Sequence, residues 1–285
     1  MSTSLSKDHL QYITKFIYKH AGIVLTQEKS YLIETRLKEV ARIVGESDLN
    51  QLIDRLKTTG DVQLKTLVVD ALTTNETMWF RDRRPFEALK NHVLPALQKA
   101  KSDRTLRIWS AACSTGQEPY SLAIMLEELG LFKHWDITIY ATDIANKVIQ
   151  KARDGIYTQF EISRGLPAKY LVKYFQQLNG DQWQISRSIR NMVRFQRHNI
   201  LTDLPPHRHL DLVLCRNVLI YFDAPSKKQI LKKIHKVLNP EGFLMLGSSE
   251  STLGITDQFE HVQFDGAIFF QPAPAEQLVK PALAV

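Results

Sequence analysis

The stretch Leu106–Ala123, LRIWSAACSTGQEPYSLA, decides the fold class of this chain. Leu106, Ile108 and Trp109 are apolar and form the pattern of a short buried strand. Five small residues follow, Ser110 to Ser114, and Thr115-Gly116 gives a turn signal. Glu118-Pro119 then opens a helix, where proline lacks only an N–H that a first helical turn leaves unpaired. A strand that turns through small residues into a helix lets a ligand approach bare backbone, with the free N–H groups of the helix start facing it. The spacing G-x-G-x-x-G is missing, because Gly116 is the one glycine of the stretch. The pattern indicates a nucleotide-like cofactor, although an ordinary strand–helix turn carries the same local signature.

Upstream, residues 8–75 are helical in pattern. His9–His20 carries Leu10, Ile13 and Ile17 at helical spacing and stops at Ala21-Gly22. A second helix, Glu28–Val44, places Ile33, Leu37, Val40 and Val44 on one side, with Arg36 and Arg42 off that stripe. On periodicity alone these arginines are a solvated face. Helices over Asp48–Thr58 and Asp61–Leu72 complete a small helical domain. The segment TTNETMWFRD, residues 73–82, is polar and then abruptly aromatic, an interdomain linker anchored by Trp79-Phe80. A helix over Pro85–Ala100 leads into the central strand.

Downstream, ITIYATDI, residues 137–144, is a second strand ending in Asp143, 27 residues after Gly116. An acid at that place binds ribose hydroxyls in Rossmann-like domains. It can also cap the following helix, Ala145–Arg153, and the two roles are compatible. Residues 155–190 interrupt the α/β rhythm. GIYTQF is a strand, Pro167–Tyr174 a helix, and YFQQL and QWQIS form a hairpin around Asn179-Gly180. The rhythm resumes with MVRFQRHNI (192–200) and LDLVLC (210–215), the latter followed at once by Arg216 and Asn217. A helix from Pro225 to Leu238, a turn over Asn239–Gly242, a strand over Gly242–Gly247 and a hairpin flanking Asp265-Gly266 close the pattern. The Pro/Ala-rich 271–285 is expected to be disordered.

With 44% hydrophobic and 24% charged residues the class is soluble globular. No run of 18 apolar residues provides a membrane span, and MSTSLSKDHLQY has no apolar signal-peptide core. Two cysteines, Cys113 and Cys215, in apolar context are expected to be reduced and buried, which suits a cytoplasmic protein. The histidines show no zinc spacing, so no metal is expected. The net charge of +7 suits an acidic partner, but it is dispersed and does not by itself point to nucleic acid.

Five strands alternating with helices, then an antiparallel hairpin, resemble the class I S-adenosylmethionine-dependent methyltransferase fold. ALTTNETMWFRD, SAACSTGQEPYSLA, ATDI, ARDGIY and LCRNVLIYFD narrow the resemblance to the chemotaxis receptor glutamate methyltransferase (CheR) family, over about residues 8–270. The resemblance implies an α/β protein with a mostly parallel Rossmann-like sheet ending in an antiparallel hairpin. To this it adds an N-terminal helical domain (1–75), a linker and lead-in helix (76–100), and a cofactor domain (101–270) with a β subdomain inserted at 155–190. It further implies that Asn75, Thr77, Arg81, Ala111, Ala112, Glu118, Asp143, Asn199, Ile200, Arg216 and Asn217 bind S-adenosyl-L-methionine, whose product is S-adenosyl-L-homocysteine. Arg216, Asn217 and Tyr221 are expected to wall the methyl site, and none is assigned as a base. Arg36 and Arg42 match a basic pair on a receptor-facing helix. The expected partner is the cytoplasmic signalling domain of a chemoreceptor. A monomer is expected, with no nucleic acid and no membrane insertion. The hairpin turn Leu178–Asp181 is brief, so no receptor tail peptide is expected to be required. Two other readings stand beside this one: a methyltransferase acting on another substrate, and a regulator that keeps the fold without the activity.

Overall fold

The computed structural model describes residues 4–25 and 30–274. The Glu28 start of the second helix and the expected disorder beyond residue 274 lie outside the described residues. Four helices come first: α1 (Lys7–Ala21), α2 (Ser30–Val44), α3 (Leu49–Thr58) and α4 (Val62–Leu72). Ser6, Asp48 and Asp61 cap α1, α3 and α4 by accepting backbone N–H bonds, which satisfies donors that a helix start leaves free. Their apolar stripes, including Ile13, Ile17, Leu37, Leu52 and Val68, close on one another as a separate core. Helix α1 ends at Gly22 with φ +71°, where an added Cβ would lie 2.6 Å from Leu201 and 2.9 Å from Phe222. Only glycine fits there, and it brings the end of α1 flush against the second domain.

The lead-in helix is α5 (Arg84–Ala88), a π-helical turn (Leu89–Val93) and α6 (Leu94–Ala100), a wider turn that the apolar pattern did not reveal. Then follow β1 (Thr105–Ala111), α7 (Gln117–Leu129), β2 (Asp136–Asp143) and α8 (Asn146–Asp154). The insertion comprises β3 (Ile156–Thr158), α9 (Gln159–Ser163), α10 (Ala168–Tyr174), β4 (Phe175–Gln177), β5 (Gln182–Ile185) and α11 (Arg187–Arg190). The chain ends through β6 (Val193–Arg197), β7 (Leu210–Cys215), α12 (Ala224–Val237), β8 (Leu238–Leu246), β9 (Phe259–Phe264) and β10 (Ala267–Pro272).

The main sheet runs β6-β2-β1-β7-β8-β10-β9. The β6-β2, β2-β1, β1-β7 and β7-β8 pairs are parallel, while β10 is antiparallel to both β8 and β9. All six residues of β7 are buried, as a parallel strand covered on both faces requires. The chain builds outward from β1 to β2 and β6, then returns to β7 on the other side of β1. That reversal opens a crevice at the carboxyl ends of β1 and β7, where open α/β sheets bind ligands.

Three local expectations are corrected. GIYTQF is a strand only over Ile156–Thr158. Thr158 then caps α9 with a reciprocal Thr158–Glu161 capping box, a T-x-x-E signal visible in the sequence. Asn239–Gly242 does not precede the strand but interrupts its ladder: β8 starts at Leu238, and the pairing jumps from Leu210–Leu238 to Leu212–Phe243. Gln271 and Pro272 are not tail residues, because they pair with Glu260 and Phe259 in the closing hairpin.

Candidate functional site

A cavity of about 330 Å³ opens at the sheet's crevice, within the size range of small-ligand sites. Five segments meet there: the turn after β1, the end of β2, the stretch after β6, the turn after β7, and the linker at 73–81. Ala21 and Ile23, at the end of α1, close it from the helical domain.

The turn after β1 is wound tightly. Ala112, Ser114 and Gly116 have φ of +58°, +52° and +93°, conformations that cost a residue with a Cβ free energy unless its surroundings enforce them. Here Cys113 N–H donates to Thr142 O (2.9 Å) and Ser114 N–H to Asp143 Oδ2 (2.9 Å). At Gly116 a Cβ would sit 3.0 Å from Ala152 and 3.1 Å from the Tyr157 hydroxyl, so a side chain there would force its neighbours back by a few tenths of an ångström. The result is a tight loop, Ala112–Ser114, lining the cavity. Ala112 lines it; Ala111, expected to do so, is the last residue of β1, buried and paired with Thr142.

Asp143 is buried in the cavity wall, and burial pushes its carboxyl above the usual carboxylate range. Its Oδ1 accepts from Ala145 N–H (3.0 Å) and its Oδ2 from Ser114 N–H. It therefore ties the two ligand-facing loops together and keeps further lone pairs for a ligand hydroxyl. Across the cavity, Arg216 has a side chain 1% exposed. Its Nη1 donates to Glu118 Oε2 (3.1 Å), and its Nη2 to Asp82 Oδ2 (2.8 Å) and Arg81 O (2.9 Å). Ser110 Oγ donates to the other oxygen of Glu118 (2.8 Å). Asn217 stands at φ +56° because Glu250 Oε2 accepts its N–H and that of Gly247, both at 2.7 Å.

Of the expected site residues, Asn75, Thr77, Arg81, Ala112, Glu118, Asp143, Asn199, Ile200, Arg216, Asn217 and Tyr221 line this one cavity. Asn199 also reaches the helical domain, its Nδ2 donating to His20 O (2.8 Å). Arg36 and Arg42 are elsewhere. Arg36 is half-buried and folded onto the linker: Nη1 donates to Leu72 O (3.1 Å) and Thr73 O (3.0 Å), and Nη2 to Thr74 Oγ1 (3.1 Å). It fixes the start of the cavity-lining segment. The Arg42 side chain is exposed and has no hydrogen bond or ion pair among the described residues. The six-residue separation turns the two side chains about 120° apart on a helix.

Sequence reasoning missed Ile23, Ser114, His198 and Phe222 in the lining, and Glu250 behind it. His198 was the legible one, a histidine beside Asn199 at the end of a strand. Its Nε2 bonds Leu204 O (2.8 Å), so with the proton assigned to Nε2 its Nδ1 is an acceptor, and burial lowers its pKa. Two buried acceptors in the lining, His198 Nδ1 and Asn217 Oδ1, have no partner. Orphaned acceptors call for ligand donors. Ribose hydroxyls, an adenine amine and a methionine ammonium are such donors, so the residues fit S-adenosylmethionine. The buried Cys113 and Cys215 are free thiols pushed well up by burial, unsuited to nucleophilic work. Among the described residues no group of three or more His, Cys, Asp or Glu is placed to hold a metal ion, and no helix is long and apolar enough to cross a membrane.

The sheet order, the crevice and the cavity lining fit the class of S-adenosylmethionine-dependent methyltransferases of Rossmann-like fold. The chain belongs to the CheR methyltransferase family: residues 8–73 match its all-alpha domain and residues 75–268 its S-adenosylmethionine-binding domain. It is 42% identical over 261 residues to "Chemotaxis protein methyltransferase 1" of Pseudomonas aeruginosa, covering 90% of this chain and 94% of that one. It is 40% identical to "Chemotaxis protein methyltransferase Cher2" of Pseudomonas putida with the same coverage. With "Chemotaxis protein methyltransferase 1" of Vibrio cholerae it shares 35% identity over 273 residues, 94% of this chain and 98% of that one.

Proposed function

We propose that this methyltransferase esterifies glutamate side chains on the cytoplasmic signalling domain of a chemoreceptor. The observation that carries this reading is the state of the charges in the cavity. Glu118 and Asp143 are engaged by internal donors. Arg81 lines the same cavity, and its side chain has a single hydrogen bond, 3.3 Å to Glu76 O, and no ion-pair partner among the described residues. Its guanidinium suits an incoming carboxylate. Bound S-adenosylmethionine would supply an electrophilic methyl group, carried on a sulfur that would leave as the neutral thioether of S-adenosylhomocysteine when a carboxylate oxygen takes the methyl in line. A glutamate is already ionised at neutral pH, so no residue here needs to act as base. The chain's contribution is alignment by Arg81, Asn217 and Tyr221, and exclusion of water by Ile23, Ile200 and Phe222. The site residues named above are proposed to hold the cofactor, with Asp143 toward the ribose hydroxyls. Loss of a negative charge on the receptor helix relieves like-charge repulsion there, a physical route to adaptation. The four-residue connection Leu178–Asp181 between β4 and β5 supports independence from a receptor tail peptide.

The product decides the chemistry. Receptor labelled from methyl-tritiated cofactor is expected to release its label as volatile methanol in mild alkali, because a carboxyl methyl ester hydrolyses in base. Label that stays on the protein sinks esterification in favour of an N-methyl product. No label at all, with cofactor bound, favours a non-catalytic regulator.

The two arginines should separate. Arg36→Gln is expected to weaken S-adenosylhomocysteine binding about tenfold, since three hydrogen bonds from a charged donor to the linker are lost. Arg42→Gln should leave that affinity unchanged and slow receptor methylation at low salt, as a charge-steered encounter requires. Calorimetry and initial rates on both variants check this. Equal cofactor affinity in Arg36→Gln and wild type would remove the linker role.

A further inference from the structure

On the β6 edge of the main sheet lies a second groove, of about 390 Å³, that shares no lining residue with the cofactor cavity. Tyr120 and Phe195 form its apolar side, with ring centroids 5.3 Å apart. Arg153, Arg187, Arg190 and Asn191 surround the rest. The lining holds three guanidinium groups and no acid, and none of the three has an ion-pair partner among the described residues. Arg153 Nη2 donates to Phe195 O (2.8 Å), and Arg190 Nη1 makes a long bond to Asp154 O (3.4 Å). The carboxylate of Asp154 is taken up on its Oδ1 by Gln150 (2.9 Å) and not by an arginine. Arg190 Nε is buried with no acceptor at all.

Arg190 is also held in place. Its stem crosses Gly155, where an added Cβ would meet Arg190 Cδ at 3.0 Å and Ile185 at 2.7 Å. Like charges gathered in a concavity raise the local potential and concentrate anions. A buried N–H without an acceptor costs free energy until something accepts from it. Guanidinium forks match phosphoryl oxygens in pairs. The half-buried Phe195 ring beside them offers a face on which a base could stack. A concavity of this size takes a small multivalent anion rather than a protein helix.

We propose that this groove binds a phosphoryl-bearing anion of the pyrophosphate or nucleoside-diphosphate class, apart from the methyl-transfer site. The test is calorimetry on the full chain at physiological ionic strength, with inorganic pyrophosphate, ADP and acetate as probes. Saturable one-site binding of pyrophosphate or ADP, absent with acetate, is expected. Arg187→Gln with Arg190→Gln should weaken it by about tenfold or more. The same double variant should bind S-adenosylhomocysteine as wild type does, which also shows that it is folded. ADP binding tighter than pyrophosphate, and reduced to the pyrophosphate level in Phe195→Ala, assigns the ring to the base. Equal affinities confine recognition to the phosphoryl groups. No saturable heat from either anion, or binding that survives the double substitution, overturns the proposal.

Discussion

Arg216→Met is expected to destabilise the protein by about 3–5 kcal/mol, the usual cost of removing one partner from a buried ion pair. The side chain is 1% exposed and stands between Glu118, 11% exposed, and Asp82, 35% exposed. Its guanidinium also lies over the Phe86 ring, 5.5 Å from the centroid. With it gone, Asp82 can turn to solvent, but Glu118 is left charged in a wall with only Ser110 Oγ for company. For a chain of this size the loss corresponds to a fall in Tm of about 6–20 °C. Adding Glu118→Met to Arg216→Met should restore most of the stability, because replacing a whole buried pair by apolar groups is close to neutral. Cofactor binding should stay lost in both, since the wall shared by Arg81, Glu118 and Arg216 no longer exists. Thermal unfolding with S-adenosylhomocysteine calorimetry on the three proteins reads this out. A single variant within about 1 kcal/mol of wild type would show that the network is not structural.

The network also marks how far the sequence could be read. The elements around β1 were legible because their signals are local: an apolar strand, a run of small residues, a proline in the first turn. The linker and the β7 turn were assigned to the cofactor through family motifs, and the structure brings them to one cavity. Arg36 was not legible. On α2 its position off the apolar stripe is that of any solvated cation, and its acceptors are main-chain carbonyls 36 and 37 residues further on. Nothing in a helical period encodes that contact. Glu250 was hidden for the same reason, since it accepts from the N–H of Asn217 across 33 residues. The Asn239–Gly242 segment misled in the opposite sense. Its turn chemistry is real, but partner strand β7 runs past it, and the tertiary pairing absorbs the turn as an interruption within β8. The helix α9 was a missed local signal, a capping box read as part of a strand.

Trp79 is the joint between the linker and the β subdomain, and Trp79→Ala is expected to cost about 3–5 kcal/mol. The ring is 1% exposed and meets Tyr157 and Phe175 edge-on at 5.0 and 5.4 Å. Its Nε1 donates to Glu161 O (3.1 Å), and its backbone N–H to Arg164 O (3.0 Å). Gly165 makes this approach possible: a Cβ there would lie 2.3 Å from Trp79 O. The next residue, Phe80, gives its N–H to Ser121 Oγ on α7 (3.0 Å). The segment that carries Asn75, Thr77 and Arg81 into the cavity is thus pinned at one end by Arg36 and at the other by Trp79. Truncating the ring should therefore lower cofactor affinity as well as stability, although Trp79 does not line the cavity. Trp79→Phe keeps most of the edge-on packing and gives up one hydrogen bond, so it should lose only about 1 kcal/mol and hold its cofactor nearly as wild type does. Urea unfolding separates the stability effects, and S-adenosylhomocysteine titration of each folded variant separates the affinities. If Trp79→Ala bound the cofactor as tightly as Trp79→Phe, the linker would be held without its aromatic anchor, and the two-pin account of the site would fail.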